Sequence, residues 1–343
     1  MALVYATPGT GPSAGGIGWF DFGTFTLTPG TTVTGLTGTF LDGSTVTFSV
    51  SSSAVALGGR NVVATQPPVS AGSPFGHTGY TGIVGNVVLY EPAGTFTNQV
   101  TDIRFFNIVV LDTLGNPVPN YEIILADGET TNTGEGLRYT TNVGVWSLLI
   151  TLPTVGGGAS TGPSVTGVGT SVVTETGIAA AGMTTSAPVI STTNATDITV
   201  RVTSSTNVGS GGRQGFTIGF AINKVTLIKD ITQRKNPADQ FELTISGTPN
   251  NTVDTTGSAT GIQAETANVF GIIGNTYTIT EAMAPGSVSS LSDYDQTVTA
   301  VNLATGGTVP PVGSLPESVT LALGDVIEYT ITNTAAVIRG IAF

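Results

Sequence analysis

Three polar residues, Lys229, Glu281 and Asn333, each end a short stretch in which apolar and polar residues alternate. Alternate side chains of a β-strand share one face, so each of the three is predicted to point inward behind two apolar residues. Lysine and glutamate are rarely buried unless they are paired. We therefore expect the three side chains to meet in one core. The stretches are residues 225–229 (VTLIK), 277–281 (YTITE) and 329–333 (YTITN).

Such a trio can form a covalent bond. Desolvation lowers the pKa of a lysine and raises that of a glutamate, so a neutral amine and a neutral acid can coexist. A neutral Lys229 amine is a nucleophile, and a protonated Glu281 could polarise the Asn333 carbonyl and shuttle protons. The product would be an intramolecular amide, with ammonia lost. In the alternative, the chain is a plain sandwich in which Lys229 extends to the rim and Glu281 caps a turn.

The predicted bond would join the first and last strands of its domain and close a loop of about a hundred residues. By analogy with a disulfide, a loop of that length stabilises the fold by up to ~4–5 kcal/mol. Tension entering at the first strand would also leave through a covalent link at the last strand. The bond would therefore act as a mechanical staple in a chain that has no cysteine.

The same region resembles a known family. The segments VTLIKDI, NPADQFELTISG, YTITEAMAP and IEYTITNT are similar to strands of the CnaB-type (SpaA-like, prealbumin-like) domains of bacterial surface adhesins and pili. The resemblance covers about residues 223–335. It implies a β-sandwich with a Lys–Asn isopeptide bond, in which Lys229 and Asn333 are the cross-linked residues and Glu281 the catalytic one.

The beginning of the chain resembles a second family. The segment YATPGTG (5–11) precedes the aromatic stretch GWFDF (18–22), a pattern similar to the start of the lectin-like non-repetitive domain of CshA-type streptococcal fibril adhesins. The resemblance extends to about Ile222. It implies a lectin-like β-sandwich that serves as a surface adhesion module, with Trp19 as a core residue.

The most polar loop of this first region contains Asp127, Glu129 and Glu135. It resembles the DGE loop that precedes a tryptophan strand in CshA-like domains, and Trp146 would be that tryptophan. Carboxylates together with backbone carbonyls can bind calcium, although the spacing is not that of an EF-hand. The alternative is a solvated hairpin loop. We predict no other cofactor.

Alternation with a period of two dominates the chain, which favours an all-β protein. Residues 154–191 are rich in glycine, serine, threonine and alanine, and we expect a long surface excursion there, either without strands or with ragged edge strands. Nine strands are predicted up to and including Ile222, which suits a two-sheet sandwich. They are residues 24–27, 32–40, 45–51, 86–90, 103–111, 121–126, 145–152, 197–203 and 215–222.

Composition argues against several functions. The net charge of −12 disfavours nucleic-acid partners, because phosphate contacts need Lys and Arg. No phosphate-binding glycine motif is present, and no apolar run reaches transmembrane length. No secretion signal is visible, so we expect either a mature ectodomain or another export route. All three lysines lie in residues 224–235, which confines the lysine chemistry to the second domain.

These observations predict two β-sandwich domains in tandem, 1–222 and 223–335, followed by an apolar tail at 336–343. We expect a non-enzymatic bacterial surface adhesin or fibre component, located outside the cell or on a spore surface. Its partners would be a host or cell-surface protein or glycan, without membrane insertion. The alternatives are a self-assembling filament subunit that docks through residues 337–343, and a carbohydrate-binding lectin module.

Overall fold

The structure is a computed structural model that describes residues 1–56, 59–91, 99–131, 134–155, 162–177, 186–204, 213–309 and 313–336. The chain divides into two compact units, Met1–Ala221 and Ile222–Phe343. The predicted all-β class is confirmed, since a single 3-10 turn, Leu291–Asp293, interrupts the strands of the described residues. None of those residues belongs to a helix with the length and apolar character that a membrane crossing requires.

The first unit is built from strands of very different length. They are β1 (Ala2–Tyr5), β2 (Gly18–Asp21), β3 (Thr26–Leu27), β4 (Thr32–Thr39), β5 (Thr45–Ala56), β6 (Val62–Thr65), β7 (Val88–Tyr90), β8 (Val100–Leu111), β9 (Glu122–Asp127), β10 (Gly136–Thr141), β11 (Ser147–Leu152), β12 (Ser164–Thr166), β13 (Val172–Thr176), β14 (Ala187–Thr193), β15 (Asp197–Thr203) and β16 (Gly215–Ala221).

These strands form two sheets whose facing sides make an aromatic core. One sheet runs β11-β14-β9-β16-β7-β6-β3, with β2 added beside β16 and β1 beside β2. The other runs β12-β13-β10-β15-β8-β5-β4. Phe48 of the second sheet meets Phe220 of the first with ring centroids 5.5 Å apart, and Phe105 meets Phe216 at 6.0 Å. The interior of this sandwich is therefore filled by rings from both sheets.

The expected surface excursion at residues 154–191 is wrong for its final part. β14 lies between β11 and β9 in the first sheet, and most of its residues are buried. β12 and β13 extend the second sheet from β10. The high content of small residues in this region masked the strand signal of its Val, Ile and Thr residues, which suit a pleated, half-buried surface. Two of the excursion's glycine-rich and alanine-rich parts, 156–161 and 178–185, lie outside the described residues.

The second unit is also a two-sheet sandwich. Its strands are β17 (Lys224–Gln233), β18 (Phe241–Ser246), β19 (Asn251–Asp254), β20 (Gly261–Phe270), β21 (Thr276–Met283), β22 (Tyr294–Asn302), β23 (Gly307–Thr308), β24 (Glu317–Thr320) and β25 (Val326–Ala335). One sheet runs β20-β17-β25-β22-β23 and the other runs β19-β18-β21-β24. The first and last strands, β17 and β25, are parallel neighbours, whereas the other pairs in this unit are antiparallel.

The three alternating stretches have the predicted inward register. In β17 every second residue from Val225 to Ile231 is buried, and β21 and β25 alternate in the same way. Leu227, Ile279 and Tyr329 contribute to one apolar cluster at the centre of the sandwich. A second, smaller apolar cluster, formed by Ile231, Phe241 and Tyr294, closes one end of the sandwich.

Glycine at position 219 of β16 is a steric requirement of the first core. An added Cβ would lie 2.8 Å from Ile17 Cγ2 and 2.9 Å from Trp19 Cε3. Trp19 cannot easily move, because it is fully buried and packs edge-on against Phe75 and Tyr80 at 4.9 Å each.

We therefore expect Gly219→Ala to lower the free energy of unfolding of the first unit by about 1–3 kcal/mol, the usual cost of overpacking. Urea denaturation followed by tryptophan fluorescence measures it. Gly72→Ala is the matched control, since its new Cβ would make only ordinary contact, at 3.8 Å from Thr130. Equal stability of the two variants would contradict the expected clash.

Candidate functional site

The structure brings Lys229, Glu281 and Asn333 together inside the second unit. Lys229 lies on β17 and Asn333 on β25, two neighbouring strands of one sheet, and Glu281 lies on β21 of the facing sheet. The register pairs Lys229 with Ile331 and Ile231 with Asn333. Lys229 and Asn333 are therefore one inward position apart on parallel strands, and the carboxylate approaches from the opposite wall.

Glu281 forms an ion pair with the lysine. Lys229 Nζ lies 2.6 Å from Glu281 Oε1, and both side chains are completely buried. The ammonium also donates a hydrogen bond to the Ile331 carbonyl at 3.2 Å, and it lies 4.5 Å from the centroid of the Phe241 ring. Lys229 is thus held inside the sandwich and does not extend to its rim.

The other carboxylate oxygen of Glu281 holds the asparagine. Asn333 Nδ2 donates to Glu281 Oε2 at 3.1 Å, and Gln296 Nε2 donates to the same oxygen. Asn333 Oδ1 is buried and has no hydrogen-bond donor among the described residues. A half-turn of the amide would exchange the two atoms and place Oδ1 against Glu281 Oε2, where a protonated carboxyl group could polarise the carbonyl.

Aromatic packing keeps water from the lysine. Phe241 and Tyr294 meet edge-on, with ring centroids 5.1 Å apart. Both rings are buried, and Tyr294 is anchored by donating its hydroxyl hydrogen to Asp239 Oδ2 at 2.6 Å. The trio therefore lies between the central apolar cluster and this aromatic end, in a setting where unscreened charges interact strongly.

Burial lowers the pKa of Lys229 from 10.5 to about 8, and the nearby Glu281 carboxylate limits the fall. Desolvation is the larger effect because it disfavours the charged amine. The neutral, nucleophilic form of the amine is therefore easier to reach near neutral pH than in an exposed lysine. The site then holds an amine nucleophile, a carboxyl group for proton transfer and an amide carbonyl, with one carboxylate contacting both partners.

The predicted ligand loop of the first unit carries carboxyl groups that are buried, whereas a solvated hairpin loop would expose them to water. Asp127 is the last residue of β9 and is fully buried, and Glu135 is buried as well, so the described part is not a solvated hairpin. Asp127 Oδ1 accepts from the Glu129 backbone amide at 2.8 Å. Burial and the neighbouring Asp127 raise the pKa of Glu129 to about 8. Within the described residues, no group of three or more His, Cys, Asp or Glu is arranged to hold a metal ion.

Two neighbours of the trio were not found from the sequence. Gln296 contacts Glu281, and Phe241 lies against the lysine ammonium. The signal for Gln296 was available, since it alternates with Tyr294, Val298 and Ala300 on the buried face of β22. The apolar tail at 337–343, predicted to dock on a neighbouring subunit, lies outside the described residues.

Comparison with protein families gives two matches that together span most of the chain. Residues 15–221 match the model described as surface adhesin CshA non-repetitive domain 2. Residues 224–335 match the model described as a prealbumin-like fold domain of the SpaA type. The two resemblances seen in the sequence are thereby confirmed, in the predicted order. No curated protein matches the chain at a significant level.

Solved structures of bacterial surface proteins overlap the chain weakly. A major pilin from Streptococcus pyogenes is 11% identical with a TM-score of 0.23, covering 64% of this chain and 99% of the pilin. An adhesin from Mobiluncus mulieris, described as containing intramolecular disulfide, isopeptide and ester bond cross-links, is 14% identical with a TM-score of 0.27, covering 73% of this chain and 92% of the adhesin. We draw no conclusion from either overlap, because both TM-scores are below 0.5.

Proposed function

Through its first unit the chain belongs to the surface adhesin family with the CshA non-repetitive domain 2, and we propose that it is a non-enzymatic adhesin or fibre component stapled by a Lys229–Asn333 isopeptide bond. Membership implies an extracellular, cell-surface protein. The first unit would be the adhesion module, with a host or cell-surface protein or glycan as its partner. The second unit would be the load-bearing stalk.

One observation carries the staple: a single buried carboxylate contacts both groups that would react. Glu281 Oε1 lies 2.6 Å from Lys229 Nζ, and Glu281 Oε2 lies 3.1 Å from Asn333 Nδ2. A purely structural ion pair would need only the first contact. The second places the amide in the same dry site, where pre-positioning of two reactants lowers the entropic part of the barrier.

The proposed reaction conserves every atom and proton. Lys229 first passes a proton to Glu281 within the ion pair, leaving a neutral amine. Nζ then attacks Asn333 Cγ, and the proton lost by Nζ returns through Glu281 to the departing Nδ2. One N–C bond forms, one N–C bond breaks and one ammonia leaves. The site acts once on its own chain, so it is a maturation device and not an enzyme.

Mass spectrometry of the intact second-unit peptide tests the bond. We expect the wild-type mass to be lower by one ammonia, and a digest to contain one peptide in which Lys229 and Asn333 are joined. Lys229→Ala and Asn333→Ala should each have the full unreacted mass, because each lacks one partner. Glu281→Ala should also stay unreacted, since no group is left to move the protons.

Lys235→Ala is the matched control for the lysine variant. Its ammonium is partly exposed and pairs with Asp293 at 3.0 Å, away from the site, so it should retain the ammonia loss. A second-unit peptide of full mass, taken from wild-type protein folded and stored at neutral pH, would overturn the proposal.

The bond should also account for a large part of the stability of the second unit. We expect Asn333→Ala to reduce the free energy of unfolding by ~4–5 kcal/mol, because a closed loop of about a hundred residues is released. Gln296→Ala is the control: it removes another donor to Glu281 but no reacting atom, and should cost only about 1 kcal/mol. If calorimetry finds that the two variants lose the same free energy of unfolding, closing the loop does not stabilise the second unit.

The rate of bond formation should be constant from neutral pH to about pH 8 and fall above it. The reactive state, a neutral amine beside a neutral acid, holds the same single shared proton as the ion pair. That proton is lost as pH rises through the Lys229 pKa of about 8. Refolding unreacted chains from inclusion bodies at several pH values, with ammonia loss followed by mass spectrometry, measures the profile. A rate that rises through pH 8 would instead require an ionised Glu281 during attack.

A further inference from the structure

A second reactive arrangement lies in the first unit, around Thr131. The Gln214 side chain donates from Nε2 to Thr131 Oγ1 at 2.7 Å. Two carboxyl groups contact the same hydroxyl, Asp127 Oδ2 at 2.8 Å and Glu175 Oε1 at 2.9 Å. All four residues are fully buried. A hydroxyl, an amide and a pair of acids thus share one dry site.

The hydrogen-bond count shows that the acid pair retains a proton. A threonine hydroxyl has one hydrogen to donate and two lone pairs to accept. It accepts from Gln214, and it can donate to only one of Asp127 and Glu175. The other carboxyl group can approach within hydrogen-bond distance without repulsion only if it donates its own hydrogen. Burial raises the pKa of both acids, and burial together with the nearby Asp127 raises that of Glu175 well above its usual value.

The Gln214 side-chain amide is positioned for nucleophilic attack on its carbonyl carbon. Gln214 Oε1 accepts a hydrogen bond from the Gly215 backbone amide at 3.1 Å, which would stabilise negative charge developing on that oxygen. With a C–N bond of ~1.33 Å, Thr131 Oγ1 lies at most about 4 Å from Gln214 Cδ. The nucleophile and the carbonyl carbon are therefore close to reacting distance.

Strands of two sheets position Asp127, Gln214 and Glu175. Asp127 ends β9 and Gln214 immediately precedes β16, and these strands are paired. Glu175 comes from β13 of the other sheet, where Tyr139 donates to its Oε2 at 3.2 Å. The Gln214 backbone amide donates to Glu91 Oε2 at 3.2 Å, and Glu91 is buried beside Arg60. Thr131 belongs to the segment that follows β9, and it is fully buried.

We propose that Thr131 and Gln214 are joined by an intramolecular ester bond in the mature protein, formed by attack of Thr131 Oγ1 on Gln214 Cδ. The hydroxyl proton passes to the ionised member of the Asp127–Glu175 pair. The pair returns a proton to the departing Nε2. One C–O bond forms, the Cδ–Nε2 bond breaks, and one ammonia leaves. No oxidant, metal or cofactor is consumed.

This bond would fasten the segment after β9 to the start of β16, at the end of two strands in the middle of their sheet. It differs in chemistry from the amide proposed for the second unit. Esters are cleaved by hydroxylamine under conditions in which amides persist. The two linkages can therefore be separated experimentally.

The experiment uses the full chain carrying Lys229→Ala, in which the second-unit bond cannot form. We expect this chain to be lighter than its sequence by one ammonia. After unfolding, hydroxylamine should release the linkage. The result is independent of the isopeptide proposal: an unreacted mass in Lys229→Ala refutes the ester whatever happens at Asn333. A loss of water, which would mean an ester to Asp127 or Glu175, also refutes the assigned pair.

The position is fixed by peptide mapping with chymotrypsin. Trypsin is unsuitable, because cleavage after Arg213 would leave Gln214 at a peptide terminus, where it cyclises with loss of ammonia. Thr131→Val and Gln214→Ala should abolish the linked peptide, and Thr131→Ser should restore it. Thr217→Val, which removes another buried hydroxyl bonded to the Val87 carbonyl, should keep it. An ammonia loss that persists in Thr131→Val would overturn the proposal.

Discussion

The second unit is organised around a lysine ammonium and a carboxylate in contact inside an apolar core. Burying either charge alone would cost several kcal/mol. Lys229 and Glu281 offset that cost by contact with each other, and the Ile331 carbonyl and the Phe241 ring complete the surroundings of the ammonium. This requirement fixes the relative register of β17, β21 and β25, because a shift of one residue would turn each polar side chain outward.

Both units bury carboxyl groups, and they stabilise these groups with different residue types. The first unit has no lysine, and two of its buried acids, Asp127 and Glu175, are stabilised by sharing a proton and by contact with Thr131. In both units a carboxyl group contacts a nucleophile and an amide lies within the same site. Burying such polar and charged groups costs free energy that apolar residues would not. Their presence in otherwise apolar interiors therefore favours a chemical role over a packing role.

The sequence predicted the second unit better than the first. Lys229, Glu281 and Asn333 end regular alternating stretches, so their common direction follows from strand geometry alone. The Thr131 network could not be derived in that way. Asp127 ends one strand, Thr131 lies in the loop after it, and Glu175 and Gln214 belong to strands or strand ends of the two different sheets. These residues meet only because distant segments of the chain pair with one another. β14 was missed for a related reason: its burial depends on its neighbours β9 and β11, and not on its own threonine-rich and serine-rich composition.

Complete burial of the Lys229 side chain would make the proposed cross-link a record of folding. The amine meets its partner only after both sheets have closed, so an unfolded or misfolded chain would not acquire the bond. Once formed, the link would persist through any later unfolding, and the chain would refold from a loop that is already closed. Maturation would then run in one direction only, and the cross-linked fraction of a preparation would count the molecules that reached the native state at least once.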